Sequence, residues 1–221
     1  MAGGVGSRLG SITKKIPKPM IRIHKKPYLE YLLNWLISNG FKKFYFLLSY
    51  KNEKIKIFLA RFFLKKNLKY KIFLDKKRLG TFSALKEHIQ KIDRFFFYTN
   101  ADEISKIKIK DLFLKFRKSK TKIMCGLLKS KKGKFVLDKS NQLIKYASGG
   151  DKITFKDCGY KFIDKRIFKN VKKRYNKLEE FIYFDYLKKN KVSYFLVKEK
   201  PLRIDTALDI KRTKNEISKI K

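Results

Sequence analysis

The sequence predicts an α/β fold in which a mostly parallel central sheet is flanked by helices. Over residues 1–98 a Gly-rich loop is followed by segments of helical and strand pattern in alternation, which is typical of a doubly wound sheet. The chain has 221 residues, of which 43% are hydrophobic, enough to bury one sizeable core. We therefore expect residues 1–221 to form a single domain.

Apolar residues at helical spacing predict the helices. Pro27 is tolerated in a first turn, and the leucines that follow it continue at spacings of three and four as far as Gly40. The other predicted helices are Glu53–Phe63, one that Thr81 could cap, Leu112–Phe116, Glu179–Leu187 and a basic helix from about Asp209.

Runs of aromatic and β-branched residues predict the strands. They are Ile21–Ile23, Phe44–Leu48, Tyr70–Leu74, Phe95–Tyr98, Ile123–Leu128, a hairpin of Lys134–Leu137 with Gln142–Tyr146, Cys158–Ile163 and Val192–Val197. In open α/β sheets, ligands bind beyond the carboxyl ends of the strands. The opening loop, the Gly80–Thr81 turn and Asp102 all fall at such ends, so we expect a ligand site there.

The opening loop has the composition of a phosphate-binding loop. Three glycines, at positions 3, 4 and 6, are followed by Ser7 and Arg8, and Pro17-Lys18-Pro19 comes soon after. Glycine lets backbone N–H groups approach an anion closely. A P-loop would require a closing Gly-Lys-Ser/Thr, which is absent, and a dinucleotide loop would require a preceding strand. A merely flexible start would not account for the spacing to Arg8 and Lys18.

Asp102 follows the predicted strand Phe95–Tyr98 and is a candidate metal ligand. Mg²⁺ prefers oxygen ligands and often takes one or two carboxylates together with substrate phosphates. The alternative is a strand-end aspartate that caps a turn.

The opening segment Ala2-Gly3-Gly4-Val5-Gly6-Ser7-Arg8-Leu9, with Pro17-Lys18-Pro19, resembles the signature of the sugar-phosphate nucleotidyltransferases, A-G-G-x-G-T/S-R-L followed by P-K-P. The resemblance implies a Rossmann-like, GT-A-like nucleotidyltransferase domain that joins an NTP to a sugar 1-phosphate and releases pyrophosphate. It implies catalytic roles for Arg8 and Lys18. It also implies nucleotide binding by Ala2, Gly3, Gly4, Gly6 and Ser7.

Weaker matches to the same family lie further along the chain. Asn100-Ala101-Asp102 resembles its N-G-D motif, and Ile204–Asp209 resembles I-D-I-G-x-P-E-D, which implies that Asp102 and Asp205 hold Mg²⁺. Gly80-Thr81 resembles a G-T-x-x-A turn near the nucleotide. Residues 157–161 resemble N-x-G-I-Y, which implies sugar contacts from Asp157 and Gly159.

The helix start Leu29-Glu30-Tyr31 and the segment Glu179-Glu180-Phe181 are most similar to the heptose-1-phosphate guanylyltransferase branch. That branch implies GTP as the favoured nucleotide, and the uridylyl and cytidylyl branches are also similar. The family implies a role in lipopolysaccharide or capsule precursor synthesis. We expect a cytoplasmic enzyme because the sequence shows neither a signal peptide nor a membrane-spanning run. Ala101 in place of Gly and Tyr146-Ala147-Ser148 in place of the family's E-E-K leave open an inactive nucleotide-binding relative. Phe82 could narrow the base pocket, stack on the base or belong to the core.

The net charge of +39, from 58 Lys and Arg against 19 Asp and Glu, raises the alternative of a polyanion- or RNA-binding protein. The lysines are spread over the whole chain, whereas a dedicated nucleic-acid module concentrates them on one face. A+T-rich codons would produce the same composition, which codon usage in the gene would test. We expect no dedicated nucleic-acid partner and, because no apolar run approaches the length of a membrane span, no membrane partner.

In an α/β fold a phosphate loop follows a buried strand, but here Met1 comes one residue before the loop. We expect that the native gene product is longer at its N-terminus and that the missing residues supply this strand. Mass spectrometry of the native protein would test that expectation.

Overall fold

The computed structural model describes residues 9–49, 52–75, 79–138, 144–147 and 153–219. The α-helices are α1 (Ser11–Lys15), α2 (Tyr28–Ser38), α3 (Asn52–Phe63), α4 (Gly80–His88), α5 (Ile109–Lys118), α6 (Leu178–Glu180), α7 (Leu187–Lys189) and α8 (Ala207–Glu216). The strands are β1 (Arg22–Ile23), β2 (Lys26–Pro27), β3 (Lys43–Leu48), β4 (Lys69–Leu74), β5 (Phe95–Tyr98), β6 (Glu103–Ile104), β7 (Ile123–Lys129), β8 (Phe135–Leu137), β9 (Ile144–Tyr146), β10 (Phe155–Asp164), β11 (Ser193–Leu196) and β12 (Leu202–Arg203).

The described residues group into two compact units. The first lies within Met1–Arg78, Asn100–Lys106 and Pro201–Lys221, and the second lies within Leu79–Thr99 and Ile107–Lys200. Strands that pair in parallel, β3 with β4 and β7 with β11, are separated along the chain by helices. The α/β class expected from the sequence is confirmed. In the ranges that the structure describes, no helix is long and apolar enough to cross a membrane.

In the first unit, aromatic residues of α3 pack on the parallel pair β3–β4. The ring of Phe63 stacks on Tyr70 at 4.6 Å between centroids and contacts Phe44 at 5.4 Å. Ile55 and Leu59, on the same side of α3, are fully buried. The apolar stripe predicted for residues 53–63 is therefore the core face of this helix.

Helix α2 begins one residue later than the sequence predicts, after Pro27, and ends before Gly40 as predicted. Pro27 is its N-terminal cap, and Gly40, at a φ of +89°, follows its last turn. The N–H groups of Gly40 and Phe41 donate to the carbonyls of Ile37 and Leu36 at 2.9 and 3.2 Å. This is a Schellman ending, which favours glycine at the left-handed position.

In the second unit, β10 is the central strand of a six-stranded sheet. It pairs antiparallel with β5, β7 and β8, β11 extends the sheet beyond β7, and β9 pairs with β8 as the predicted hairpin. Between residues 157 and 161 of β10 the register with β7 shifts, because Asp157 stands opposite Leu127 and Lys161 opposite Cys125. Four steps along β10 thus match two steps along β7, which defines a β-bulge.

The helix predicted over Glu179–Leu187 differs in kind from the expectation. Between α6 and α7 the residues Phe181–Tyr186 form a π-helix. Phe181, Ile182 and Tyr183 are consecutive and all buried, whereas an α-helical stripe buries residues three and four apart. The burial of three adjacent side chains is better accommodated by the wider π turn.

Candidate functional site

Lys18 and two aspartates meet in the first unit. Lys18 opens a short 3-10 turn, Lys18–Met20, after Pro17, whose ψ of 143° is extended. The Lys18 ammonium group donates to the carboxylates of both Asp102 and Asp205. We call Lys18, Asp102 and Asp205 the Lys18 cluster.

A pair of two-residue strands brings the aspartates together. In the antiparallel pair β6–β12, Arg203 stands opposite Glu103 and Leu202 opposite Ile104, so the chain after Arg203 runs towards Asp102. The Arg203 and Glu103 side chains form an ion pair at 3.0 Å across the two strands. The sequence analysis missed both strands, because two residues carry no periodicity.

Neighbouring helices hold this strand pair in place. The hydroxyl of Tyr28, at the start of α2, is buried and donates to the carbonyl of Leu202 at 2.7 Å. Thr213 of α8 donates to the carbonyl of Arg203 at 2.7 Å. Thr206, directly after Asp205, caps α8 by accepting from the N–H of Asp209 at 3.1 Å. Asp205 is therefore fixed between a strand and a helix start.

The electrostatics of the Lys18 cluster favour a charged lysine. Its side chain is 11% exposed, and the carboxylate side chains are each 24% exposed. Burial by itself would lower the pKa of Lys18, but the carboxylates of Asp102 and Asp205 outweigh it and raise the pKa above its ordinary value.

The donor set of the Lys18 cluster fits a magnesium ion. Asp102 Oδ1 is buried and has no hydrogen-bond partner within the described ranges, which is the state expected of a ligand oxygen awaiting a cation. No group of three or more His, Cys, Asp or Glu that could hold a metal occurs among the residues described here. Two carboxylates suffice for Mg²⁺, since it retains waters and takes phosphate oxygens.

The turn at Gly80 and Thr81 begins α4 in the second unit. Gly80 has a φ of +81°, and a Cβ there would lie 2.1 Å from the carbonyl oxygen of Asn176, so both backbone and space require glycine. The Thr81 hydroxyl accepts from the N–H of Leu178 at 2.8 Å. The expectation that Thr81 caps α4 is wrong, because the helix already includes Gly80 and its capping residue is Leu79.

The structure decides among the three alternatives for Phe82. Its side chain is fully buried. The ring packs against those of Phe168, Tyr175 and Phe181 at 5.5, 4.8 and 4.8 Å. Phe82 is therefore a core residue of the second unit.

Asp157 and Gly159 lie at the β10 bulge. Gly159 has a φ of +82°, a conformation that favours glycine, and its N–H donates to Asp157 Oδ1 at 2.5 Å. Four residues of regular strand would separate positions 157 and 161 by about 13 Å. The bulge shortens this separation, so that the Lys161 ammonium reaches Asp157 Oδ2 at 2.8 Å.

Lys161 also reaches Glu179 Oε1 of α6 at 2.8 Å. We call Lys161, Asp157 and Glu179 the Lys161 cluster. The Tyr183 hydroxyl donates to Asp157. Sequence analysis did not single out Lys161 or assign a function to Glu179, although a lysine within the apolar run Cys158–Ile163 was a visible signal.

The Lys161 cluster is a fully buried cation with two carboxylates. Burial would lower the pKa of Lys161, but Asp157 and Glu179 raise it well above its usual range. Burial would raise the pKa of Glu179, and the Lys161 charge more than offsets this, so that pKa is lowered. Burial raises the pKa of the nearby Cys125 thiol to about 12, which makes it a poor nucleophile.

The predicted site residues thus fall into three groups. Lys18, Asp102 and Asp205 are brought together in the first unit, while Gly80, Thr81, Asp157 and Gly159 lie in the second. The remaining predicted residues lie outside the described residues: Ala2, Gly3, Gly4, Gly6, Ser7 and Arg8.

A family model described as "Nucleotidyl transferase" matches residues 1–134. The D-glycero-alpha-D-manno-heptose 1-phosphate guanylyltransferase of Campylobacter jejuni is 38% identical over 116 residues, covering 50% of this chain and 52% of the relative. The chain therefore spans about half the length of this curated relative.

Two solved structures resemble the fold over nearly the whole chain. HddC from Yersinia pseudotuberculosis, complexed with GMP-PN, is 23% identical with a TM-score of 0.78, covering 97% of this chain and 96% of its own. A putative glucose-1-phosphate thymidylyltransferase from Bacillus anthracis is 18% identical with a TM-score of 0.82, covering 100% and 94%. At these identities the likeness is one of fold.

Proposed function

The chain belongs to the nucleotidyl transferase family, and from that premise we propose that it transfers a nucleoside monophosphate from an NTP to a sugar 1-phosphate and releases pyrophosphate. The observation that supports the proposal is the convergence of Lys18 with Asp102 and Asp205, because one cation and two carboxylates lie together. In this reaction a phosphate oxygen of the sugar attacks the α-phosphorus and forms a new P–O bond. The bond from the α-phosphorus to the bridging oxygen breaks, and its electron pair leaves with pyrophosphate.

We assign the roles of the residues as follows. Lys18 binds the α-phosphate and neutralises charge that develops on it, since fixed cations supply much of the catalysis of phosphoryl transfer. Arg8 stabilises the leaving pyrophosphate, and the N–H groups of the opening loop bind the nucleotide. Asp102 and Asp205 would hold Mg²⁺, which supplies Lewis-acid stabilisation of the phosphates when bound.

The nucleotide and sugar are proposed at finer detail from the relatives. A relative named as a heptose 1-phosphate guanylyltransferase and a similar fold complexed with GMP-PN both support GTP. The same relative supports heptose 1-phosphate or a similar sugar phosphate as the acceptor, bound near Asp157 and Gly159. We also propose Gly80 and Thr81 as nucleotide-binding residues, from their resemblance to the family's G-T-x-x-A turn. We place the reaction in the cytoplasm, in the synthesis of nucleotide sugars for lipopolysaccharide or capsule.

The test is pyrophosphate release with Mg²⁺, using each NTP in turn against a panel of sugar 1-phosphates that includes heptose and mannose. Release with GTP and one sugar phosphate is the expected result. Binding of GTP without release across the panel would indicate the inactive nucleotide-binding relative instead. Release with UTP or CTP in place of GTP would retain the reaction and overturn the choice of base.

A further inference from the structure

In the Lys161 cluster one lysine pairs with two carboxylates, so the carboxylate oxygens can accept more hydrogen bonds than the lysine donates. The Lys161 side chain is fully buried, and a buried ammonium is costly unless it is paired. Its two partners, Asp157 and Glu179, both lie 2.8 Å from the ammonium nitrogen. One positive and two negative charges leave the cluster with a net negative charge at neutral pH.

The two carboxylates differ in what remains available to a ligand. Asp157 already accepts from Gly159, Lys161 and Tyr183, three of the about four hydrogen bonds that a carboxylate accepts. Its side chain is 14% exposed. Glu179 accepts from Lys161, and its side chain is 34% exposed. Glu179 is therefore the carboxylate that has lone pairs left for further hydrogen bonds and is also the more exposed of the two.

Glu179 is also held in a defined position. Its neighbour Glu180 accepts from the N–H groups of Asn176 and Lys177 at 3.1 and 3.2 Å and so closes the start of α6. The next three residues of the chain are buried in the π-helix. Because both the backbone and the carboxylate group of Glu179 are held in place, this side chain loses little entropy when it binds a ligand.

We propose that Glu179 accepts hydrogen bonds from the hydroxyl groups of the sugar 1-phosphate, and that Lys161 is the positioning residue that holds the carboxylates of Glu179 and Asp157 in place. This inference rests on the proposed function and specifies its sugar subsite. An ionised carboxylate such as that of Glu179 only accepts hydrogen bonds, so it favours ligands that offer hydroxyl donors. It disfavours sugars that carry a second acidic group at that point, because like charges repel.

Isothermal titration of the full chain with mannose 1-phosphate and glucose 1-phosphate tests the contact. In Glu179→Gln the Kd of the better-bound probe should rise about 10- to 100-fold, as expected for loss of a hydrogen bond to a charged group. Glu180→Gln is the matched control, because it makes the same charge change one residue away and keeps an acceptor oxygen for the helix start. Unchanged affinity in Glu179→Gln, or no binding of either probe by the wild type, overturns the inference.

The positioning role is tested with the charge-balanced double variant Asp157→Asn/Lys161→Met, which removes one positive and one negative charge and leaves only the partly exposed Glu179 carboxylate charged in the cluster. It should bind the sugar phosphate as weakly as Glu179→Gln while GTP affinity stays at the wild-type value. Lys156→Met removes a charge from the same strand and should change neither affinity. Lys161→Arg keeps a positive charge at this position and should bind the sugar phosphate more tightly than the double variant does. If the double variant binds the sugar phosphate with wild-type affinity, the positioning role is refuted.

Kinetics separate this inference from the proposed function. If pyrophosphate release occurs and Glu179→Gln raises the KM for sugar phosphate but not for GTP, both stand. If release occurs with the sugar KM unchanged in Glu179→Gln, the function stands and the inference fails. If no release occurs yet sugar phosphate binds in a Glu179-dependent manner, the subsite stands and the function fails.

Discussion

Each unit of the molecule holds one lysine between two carboxylates, but the two lysines differ in depth. The Lys18 side chain is 11% exposed, whereas the Lys161 side chain is fully buried. Both have a raised pKa because their carboxylates outweigh the effect of burial. Lys18 retains some access to solvent, which the proposed contact with a phosphate requires, whereas the burial of Lys161 is consistent with the proposed positioning role. The lysine that pairs with two carboxylates is thus more accessible in the first unit than in the second.

The largest effect on stability is expected from removal of the Lys161 charge. Lys161→Met leaves Asp157 and Glu179 without their cation, and loss of one partner of a buried ion pair costs about 3–5 kcal/mol. We expect a large fall in the free energy of unfolding, measured by urea denaturation. Asp157→Asn in addition should restore part of it, because one of the two stranded charges is then removed.

A Lys161→Met protein as stable as the wild type would contradict the positioning role of Lys161. Lys156→Met, on the same strand, is the control for charge removal. Its free energy of unfolding should change by less than about 0.5 kcal/mol, as is usual for surface substitutions.

Substitution of Lys18 should lower the turnover rate and leave the stability of the protein nearly unchanged. Lys18→Met should lower kcat about 100- to 1000-fold, the range found when one group that stabilises transition-state charge is removed. The melting temperature should stay close to that of the wild type. Lys25→Met, an exposed lysine of the same unit, should leave kcat unchanged, and an active Lys18→Met enzyme would contradict the catalytic role.

The bulge that distinguishes the Lys161 cluster can be tested at Gly159. Its φ of +82° is strained for any residue with a Cβ, at a cost of about 1–2 kcal/mol. Gly159→Ala should therefore destabilise the protein by that amount in urea denaturation. A change near zero would mean that the backbone at position 159 does not need the left-handed conformation.

The affinity for Mg²⁺ provides a second test of the Lys18 cluster. If Lys18 and Mg²⁺ share Asp102 and Asp205, removal of the lysine charge should strengthen metal binding even as it lowers turnover. We expect Lys18→Met to lower the Kd for Mg²⁺ at least about threefold in calorimetric titration, since charge repulsion across a few ångströms is lost. Lys25→Met is the control, and weaker Mg²⁺ binding in Lys18→Met would contradict shared ligands.

The smallest effect concerns pH. The pKa of Glu179 is lowered in the folded protein, so its pair with Lys161 contributes stability above the ordinary carboxyl pKa of about 4.3 and loses it as pH falls through the lowered value. Because Glu179 is partly exposed, the contribution should be below about 1 kcal/mol. Glu179→Gln should therefore flatten the stability profile below the ordinary carboxyl pKa of about 4.3, and an unchanged profile would contradict the pair.

The sequence predicted what local pattern or motif could show. The strand Lys43–Leu48 and the helix Tyr28–Ser38 were recognised from apolar spacing and from Pro27 and Gly40. Asp102 and Asp205 were proposed as partners from motif resemblance. The strands β6 and β12 that join them could not be seen, since each has two residues and the pairing partner lies far along the chain.

The Lys161 cluster shows why the rest of the site escaped prediction. Period-two alternation assumes a regular strand, and in such a strand Lys161 would be too far from Asp157 to pair with it. The register shift in β10 depends on a single left-handed glycine, Gly159, whose φ is not encoded by its neighbours. The partnership with Glu179 depends on tertiary packing of α6, which no local pattern reports.

The bulge at Gly159 also has an evolutionary consequence. Asp157, Gly159 and Lys161 depend on one another: without the glycine turn the charges do not meet, and without either charge the other is left uncompensated. A lineage that changes one of them passes through a less stable intermediate, so these positions should show strong epistasis and be inherited as a block. Homologues should carry either the complete charged set or an uncharged alternative, and seldom a mixture.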